Sequence, residues 1–178
     1  MNELLANIRL IAFDVDGVFT DGRFYLSDDG VESKAFHTHD GFGIRRLIEA
    51  GIQVAVISGR HSAAVQLRMD ELGVQHVILG CEDKVAAHDG LLEKLRIPAS
   101  QSAYVGDDVP DIALLTKCGV SFAVANAHPE VRKICAYTTE KSGGLGAVRE
   151  ICDLVLGARD RGATQGSVRM SSMQHRKI

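Results

Sequence analysis

Short apolar runs alternate with amphipathic segments along most of the chain. Ile8 to Phe13 is the first apolar run, and Gln53 to Ile57, Gln75 to Leu79, Gln101 to Val105 and Val120 to Val124 follow it. Runs this short, bounded by turn residues, predict strands buried on both faces, the pattern of a parallel sheet. Between them, about Gly41 to Ala50, His61 to Leu72, Lys84 to Leu95, Pro110 to Cys118 and Pro129 to Cys135 place apolar residues at helical spacing. Pro110 and Pro129 suit early helix positions, and Gly51, Gly73 and Gly119 suit helix ends. Repeated strand–helix units predict an α/β fold, a doubly wound, Rossmann-like parallel sheet with helices on both faces.

One stretch breaks the alternation. Phe19 to His39 holds Arg23-Phe24-Tyr25-Leu26, a Ser27-Asp28-Asp29-Gly30 turn signal, then Val31 to Phe36. Two short extended runs around Asp-Asp-Gly predict a projecting β-hairpin. From Gly157 onward Gly, Ser, Gln and Arg dominate. The expected organisation is one domain over residues 1–156, with the hairpin inserted at about 19–39, and a flexible tail over 157–178.

Composition narrows the function classes. The 178 residues are 46% apolar and 24% charged, with net charge −3, ordinary for a globular protein. Five basic residues against Asp160 give the segment from Gly157 a net +4, so the preceding body carries −7. Nothing global favours nucleic acid or an anionic membrane. Met1 to Asn7 has neither a basic nor an apolar leader pattern, and the expected location is cytoplasmic. Cys81, Cys118, Cys135 and Cys152 are widely spaced, which suits reduced, packed thiols. His37 and His39, two apart, would share a strand face as a solvent- or substrate-facing pair, with no third metal ligand placed beside them.

The chemistry-bearing residues follow strands. Asp14 and Asp16 come directly after the first run, with Gly17 behind them. Ser58 follows the second, Lys84 opens the helix after the third, and Gly106-Asp107-Asp108-Val109-Pro110-Asp111 follows the fourth. In open α/β sheets that edge binds ligands. Close carboxylates repel one another unless a cation or a shared proton neutralises them. With a serine, a lysine and helix-opening amides, the set suits Mg2+ and a phosphoryl group. A carboxylate can then serve as nucleophile, and a second one two residues on as acid and base.

These four signals, in this order, resemble the motifs of the haloacid dehalogenase superfamily of phosphatases. Asp-Val-Asp-Gly-Val-Phe-Thr-Asp-Gly from Asp14, Asp40-Gly41-Phe42-Gly43-Ile44, Ile57-Ser58-Gly59-Arg60 and Gly143 to Glu150 resemble a narrower group, the 3-deoxy-D-manno-octulosonate 8-phosphate phosphatase family. That resemblance covers roughly residues 6 to 156. It implies Asp14 as nucleophile and Asp16 as general acid and base. It implies Mg2+ on Asp14, the Asp16 backbone carbonyl and Asp107, with Asp108 and Asp111 orienting that shell. Ser58 and Lys84 would bind the phosphoryl group. His37, Thr38, His39, Asp40, Gly41, Arg45, Arg60 and Arg68 would face the sugar acid, Asp16 and Lys84 the ester. It further implies a capless homotetramer acting in lipopolysaccharide precursor synthesis.

The spacing supports the capless expectation independently. Asp16 to Ser58 holds one hairpin and one helix, and Lys84 to Gly106 one helix and one strand, so neither gap accommodates a lid domain. An open site needs closing, because phosphoryl transfer benefits from excluding water. A neighbouring subunit is the candidate. Four rivals remain beside this reading. A phosphatase for a nine-carbon sugar acid 9-phosphate would share the chemistry. A receiver domain would carry its aspartate after the third strand, where Leu79-Gly80-Cys81 stands instead. A non-catalytic binding protein is disfavoured by intact Asp14 and Asp16, and a nucleic-acid end phosphatase by the acidic body.

Overall fold

The computed structural model describes residues 2–174, with side chains to residue 162. Six parallel strands form the central sheet: β1 (Leu10–Phe13), β4 (Gln53–Ser58), β5 (His76–Leu79), β6 (Ser102–Gly106), β7 (Val120–Ala123) and β8 (Tyr137–Thr138). Their order is β5-β4-β1-β6-β7-β8. The chain therefore builds outward from β1 in one direction, then returns to β1's other side at β6. That reversal opens a crevice at the C-terminal ends of β1 and its neighbours, the usual ligand position. Residues of β1 are entirely buried, as a central strand in a two-sided sheet must be. Phe13, Phe19, Tyr104 and Phe122 are the largest of the fully covered side chains.

The helices are α1 (Asn2–Ala6), α2 (Thr38–Glu49), α3 (Ala63–Leu72), α4 (Lys84–Leu95), α5 (Ile112–Leu115), α6 (Pro129–Ile134) and α7 (Ala147–Gln174). Local chemistry sets their ends. Ser62 accepts from the Val65 amide to start α3, and left-handed Gly73 stops it. Asp83 accepts from the Ala86 amide and starts α4 at Lys84. Pro110 lies in the first turn of a short 3-10 segment that leads into α5, and Pro129 opens α6. Gly119 has a different reason from the one expected: a β-carbon there would meet Ser100 O at 2.6 Å, so close packing rather than a helix stop requires it.

Three elements escaped the periodicity: α1, β8 and α7. Helix α7 packs against α1 and α2. It runs through the boundary expected at residue 156, with Ala158 buried and Arg159 donating to Ala50 O at 3.0 Å. The last tail residues, 175–178, lie outside the described residues. The N-terminus of α7 is held from α2: buried Asp40 accepts from the Arg149 amide at 2.8 Å, a carboxylate at the positive end of a helix.

The hairpin is present but small. β2 (Tyr25–Leu26) pairs antiparallel with β3 (Glu32–Ser33) and lies apart from the main sheet. Tyr25 and Leu26 are 65% and 66% exposed, whereas Phe36 packs on the core. His37 and His39 do not share a strand face. His37 caps α2 by accepting from the His39 amide at 3.2 Å, because an imidazole nitrogen can satisfy a first-turn donor as a carboxylate would.

His88 on α4 is 1% exposed, and neither ring nitrogen has a hydrogen-bond partner among the described residues. Burial pushes its pKa below 6.5, Asp89 opposes that and Lys117 adds to it. The unfolded chain then takes up the proton first as pH falls. Stability is full above the unfolded value and is lost as pH falls from there through the lower folded one. His88→Leu is expected to lose less stability than wild type as pH falls below about 6.5 in urea titrations. Equal acid slopes for the two proteins would refute the assignment.

Candidate active site

Sheet register brings the expected residues to one edge. Phe13 lies opposite Val56 of β4 and Val105 of β6. Asp14 is thus one residue past the pairing, and Ser58 and Asp107 are each two past theirs. Asp14, Asp16, Ser58, Arg60, Lys84, Asp107, Asp108 and Asp111 all line one cleft of about 370 Å³. The approach is close: Gly17 has φ +87°, and a β-carbon there would meet Asp107 Oδ2 at 2.0 Å. Gly143 presses its backbone against the Gly17 carbonyl in the same way, so the Gly143–Gly146 loop braces the loop that follows Asp14.

Lys84 is the charged centre of the cleft floor. Its Nζ lies 2.9 Å from Asp14 Oδ1 and 2.7 Å from Asp111 Oδ1. Burial alone would lower its pKa, but Asp14 and Asp111 outweigh that and raise it. Asp111 is saturated. One oxygen accepts from Lys84 and the Tyr104 hydroxyl, the other from the Asp107 and Asp108 amides. Asp108 caps the following turn through the Val109 amide at 2.8 Å. Ser58 is buried and accepts from the Arg60 amide at 3.3 Å.

Negative charge exceeds what Lys84 can neutralise. Burial, then Asp111, raises Asp14 to about 6 against Lys84's opposing pull. Burial, then Asp14, Asp111 and Asp108, raises Asp107 to about 8. Oxygens of Asp14, Asp107 and Asp111 lie within 4.8 Å of one another. An all-oxygen, over-charged group of this kind suits a hard divalent cation. Because Asp111 is fully engaged, Asp14 and Asp107 are the carboxylates free to hold one.

A second cavity, of about 290 Å³, is lined by Thr38, Gly41, Phe42, Arg45, Arg68, Glu71 and Leu72. It shares no lining residue with the first. Arg68 pairs with Glu71 Oε2 at 2.6 Å, and Arg45 donates to the Glu71 carbonyl at 3.1 Å.

Residues 81–151 match the family model of haloacid dehalogenase-like hydrolases. The chain is 46% identical over 165 residues to 3-deoxy-D-manno-octulosonate 8-phosphate phosphatase KdsC of Yersinia pestis, covering 92% of this chain and 88% of that protein. It belongs to the KdsC phosphatase family. The Escherichia coli K12 member is also 46% identical, over 87% of this chain and 82% of its own. The Moraxella catarrhalis phosphatase, solved with magnesium, phosphate and KDO, superposes with a TM-score of 0.88 at 41% identity, covering 94% of this chain and 96% of that one.

Within this KdsC-family chain the expected site residues fall into two groups. The catalytic and metal candidates converge on the first cleft, and Arg60 joins them. Thr38, Gly41, Arg45 and Arg68 line the second cavity, His37 and His39 sit at the start of α2, and Asp40 is buried beneath α7. Sequence reasoning missed Lys34, Glu32 and Phe24. Lys34 pairs with Asp16, and Arg60 pairs with Glu32 at 2.9 Å while stacking 4.2 Å above Phe24. The only local signal was the alternation of Glu32 and Lys34 on one face of the hairpin.

Proposed function

We propose that this chain is the Mg2+-dependent phosphatase that hydrolyses 3-deoxy-D-manno-octulosonate 8-phosphate to the free sugar acid and phosphate, in lipopolysaccharide precursor synthesis. The convergence of Asp14, Asp16, Ser58, Lys84 and Asp107 on one cleft of a KdsC-family fold carries this reading. Asp14 attacks phosphorus, the bond from phosphorus to the sugar oxygen breaks, and Asp16 protonates the departing oxygen. Water then loses a proton to Asp16 and attacks the aspartyl-phosphate. The bond from phosphorus to the Asp14 oxygen breaks, releasing phosphate. Ser58 and Lys84 hold the phosphoryl oxygens throughout. Asp14, Asp107 and the Asp16 backbone carbonyl would hold Mg2+, with Asp108 and Asp111 orienting them. When bound, the ion offsets the charge of the phosphoryl group.

Initial rates across phosphorylated 2-keto-3-deoxy acids test the assignment. The eight-carbon 8-phosphate is expected to give the highest kcat/KM, and excess chelator to abolish turnover. A preference for a nine-carbon 9-phosphate would change the substrate, and activity in chelator would remove the metal.

The same reading includes a cytoplasmic homotetramer. The exposed apolar tip at Tyr25 and Leu26 invites pairing with other copies. Arg45 and Arg68 then serve a neighbour's cleft, since they lie outside their own. Among the described residues no helix is long and apolar enough to cross a membrane. Asp14→Asn and Arg68→Ala oligomers are each expected to be nearly inactive on the sugar acid ester. Dissociated and mixed, they should recover roughly a quarter of wild-type activity, as closed cyclic contacts pair intact halves. No recovery would place Arg68 in its own subunit's chemistry or scaffold.

A further inference from the structure

The inner face of the hairpin ends in the active site of its own chain. Lys34 lies one residue past β3, and its side chain is 0% exposed. An ordinary hairpin lysine keeps its head in water. Here the ammonium pairs with Asp16 Oδ1, lies 3.7 Å from Glu32 Oε1 and sits 5.6 Å from the Phe24 ring centre. Arg60 approaches the other Asp16 oxygen, Oδ2, at 3.8 Å. It also pairs with Glu32 Oε2 and stacks on Phe24. Two cations and two carboxylates close a balanced cluster around one aromatic ring.

The Asp16 carboxyl hangs on two rotatable bonds. Held at both oxygens by cations from two different segments, it has one orientation. The water step needs that orientation, because there the ionised Asp16 takes the proton. We propose that Lys34 is a positioning residue for phosphoryl transfer, acting through Asp16. The inference rests on the role of Asp16 assigned above. Glu32 and Phe24 hold Lys34 in turn, so the placement of the hairpin is carried to the acid–base group through three side chains.

Lys34→Met removes the charge and keeps the stem. Its kcat on the sugar acid phosphate is expected to fall roughly ten- to hundredfold, with KM changed less than about threefold, because misplaced chemistry lowers kcat rather than binding. With p-nitrophenyl phosphate the leaving group needs little protonation, so Asp14 still takes the phosphoryl group. The water step, which needs Asp16, slows. The burst of nitrophenolate relative to the steady rate should therefore exceed that of wild type. Lys34→Arg should regain part of the lost kcat. If the Met variant fails to fold, Lys34→Gln carries the same measurements. A raised KM with kcat preserved would make Lys34 a substrate contact, and an unchanged kcat and burst would leave it a scaffold residue. Either overturns the proposal. A wild-type enzyme inactive on the sugar acid phosphate would instead overturn the functional reading beneath it.

Discussion

Asp14→Asn is expected to lower turnover by roughly 10³-fold or more on every phosphate ester, because the amide cannot form the acyl-phosphate and the nucleophile works as a unit with its partners. The same change should not weaken the fold. Burial and Asp111 hold the Asp14 carboxyl at about 6, above its ordinary 3.8. A raised carboxyl pKa contributes stability that is complete below the unfolded value and is lost as pH rises through the folded one. At neutral pH without the cation, ionised Asp14 therefore costs stability, and the neutral amide does not. Kinetics and thermal melts in chelator should show activity gone and the melting temperature equal or higher. A variant that keeps a tenth of wild-type activity, with deamidation excluded, would remove Asp14 as nucleophile. A large fall in melting temperature would mean that its carboxylate is chiefly structural.

The cleft was legible because its residues obey the sheet. Buried runs mark strands, and whatever follows a parallel strand falls on one edge. Asp14, Ser58, Lys84 and Asp107 could be placed together without knowing a single side-chain angle. The residues that escaped depend on tertiary contacts. Helix α7 begins just after Gly143, Gly144 and Gly146 and passes Gly157 and Gly162, a composition that argues against a helix. What secures its start is the Asp40 carboxylate on α2. No local window contains that contact. Lys34 was hidden for the opposite reason. Alternating Glu32 and Lys34 is what a solvated strand face looks like, and only the fold of the hairpin back over Asp16 covers it. The His37–His39 pair shows a third limit. A two-residue spacing looks like strand alternation, yet it also fits a helix cap, and the apolar pattern after Gly41 does not reveal where the first turn begins.

Lys84→Met should produce the largest combined loss. The lysine is the protein's own cation among Asp14, Asp107 and Asp111, and it is mostly buried. Removing one partner of a buried ion pair leaves the others uncompensated, at a cost of about 3–5 kcal/mol. The Tyr104 hydroxyl, which bonds Asp111 and whose pKa burial raises, cannot supply the missing charge. With Lys84 proposed to face the phosphoryl oxygens, its loss should also lower kcat by roughly 10²–10³-fold. The two losses separate on adding Mg2+. A divalent ion held by Asp14 and Asp107 would replace part of the missing positive charge, so the variant's melting temperature should rise more with Mg2+ than wild type's. Turnover should stay low, because an ion on those carboxylates would not take the place proposed for the lysine on the phosphoryl group. Thermal melts and rates, each with Mg2+ and with chelator, check both halves. A variant as stable as wild type in chelator and within tenfold of its kcat would show that Lys84 neutralises neither the carboxylates nor the phosphate.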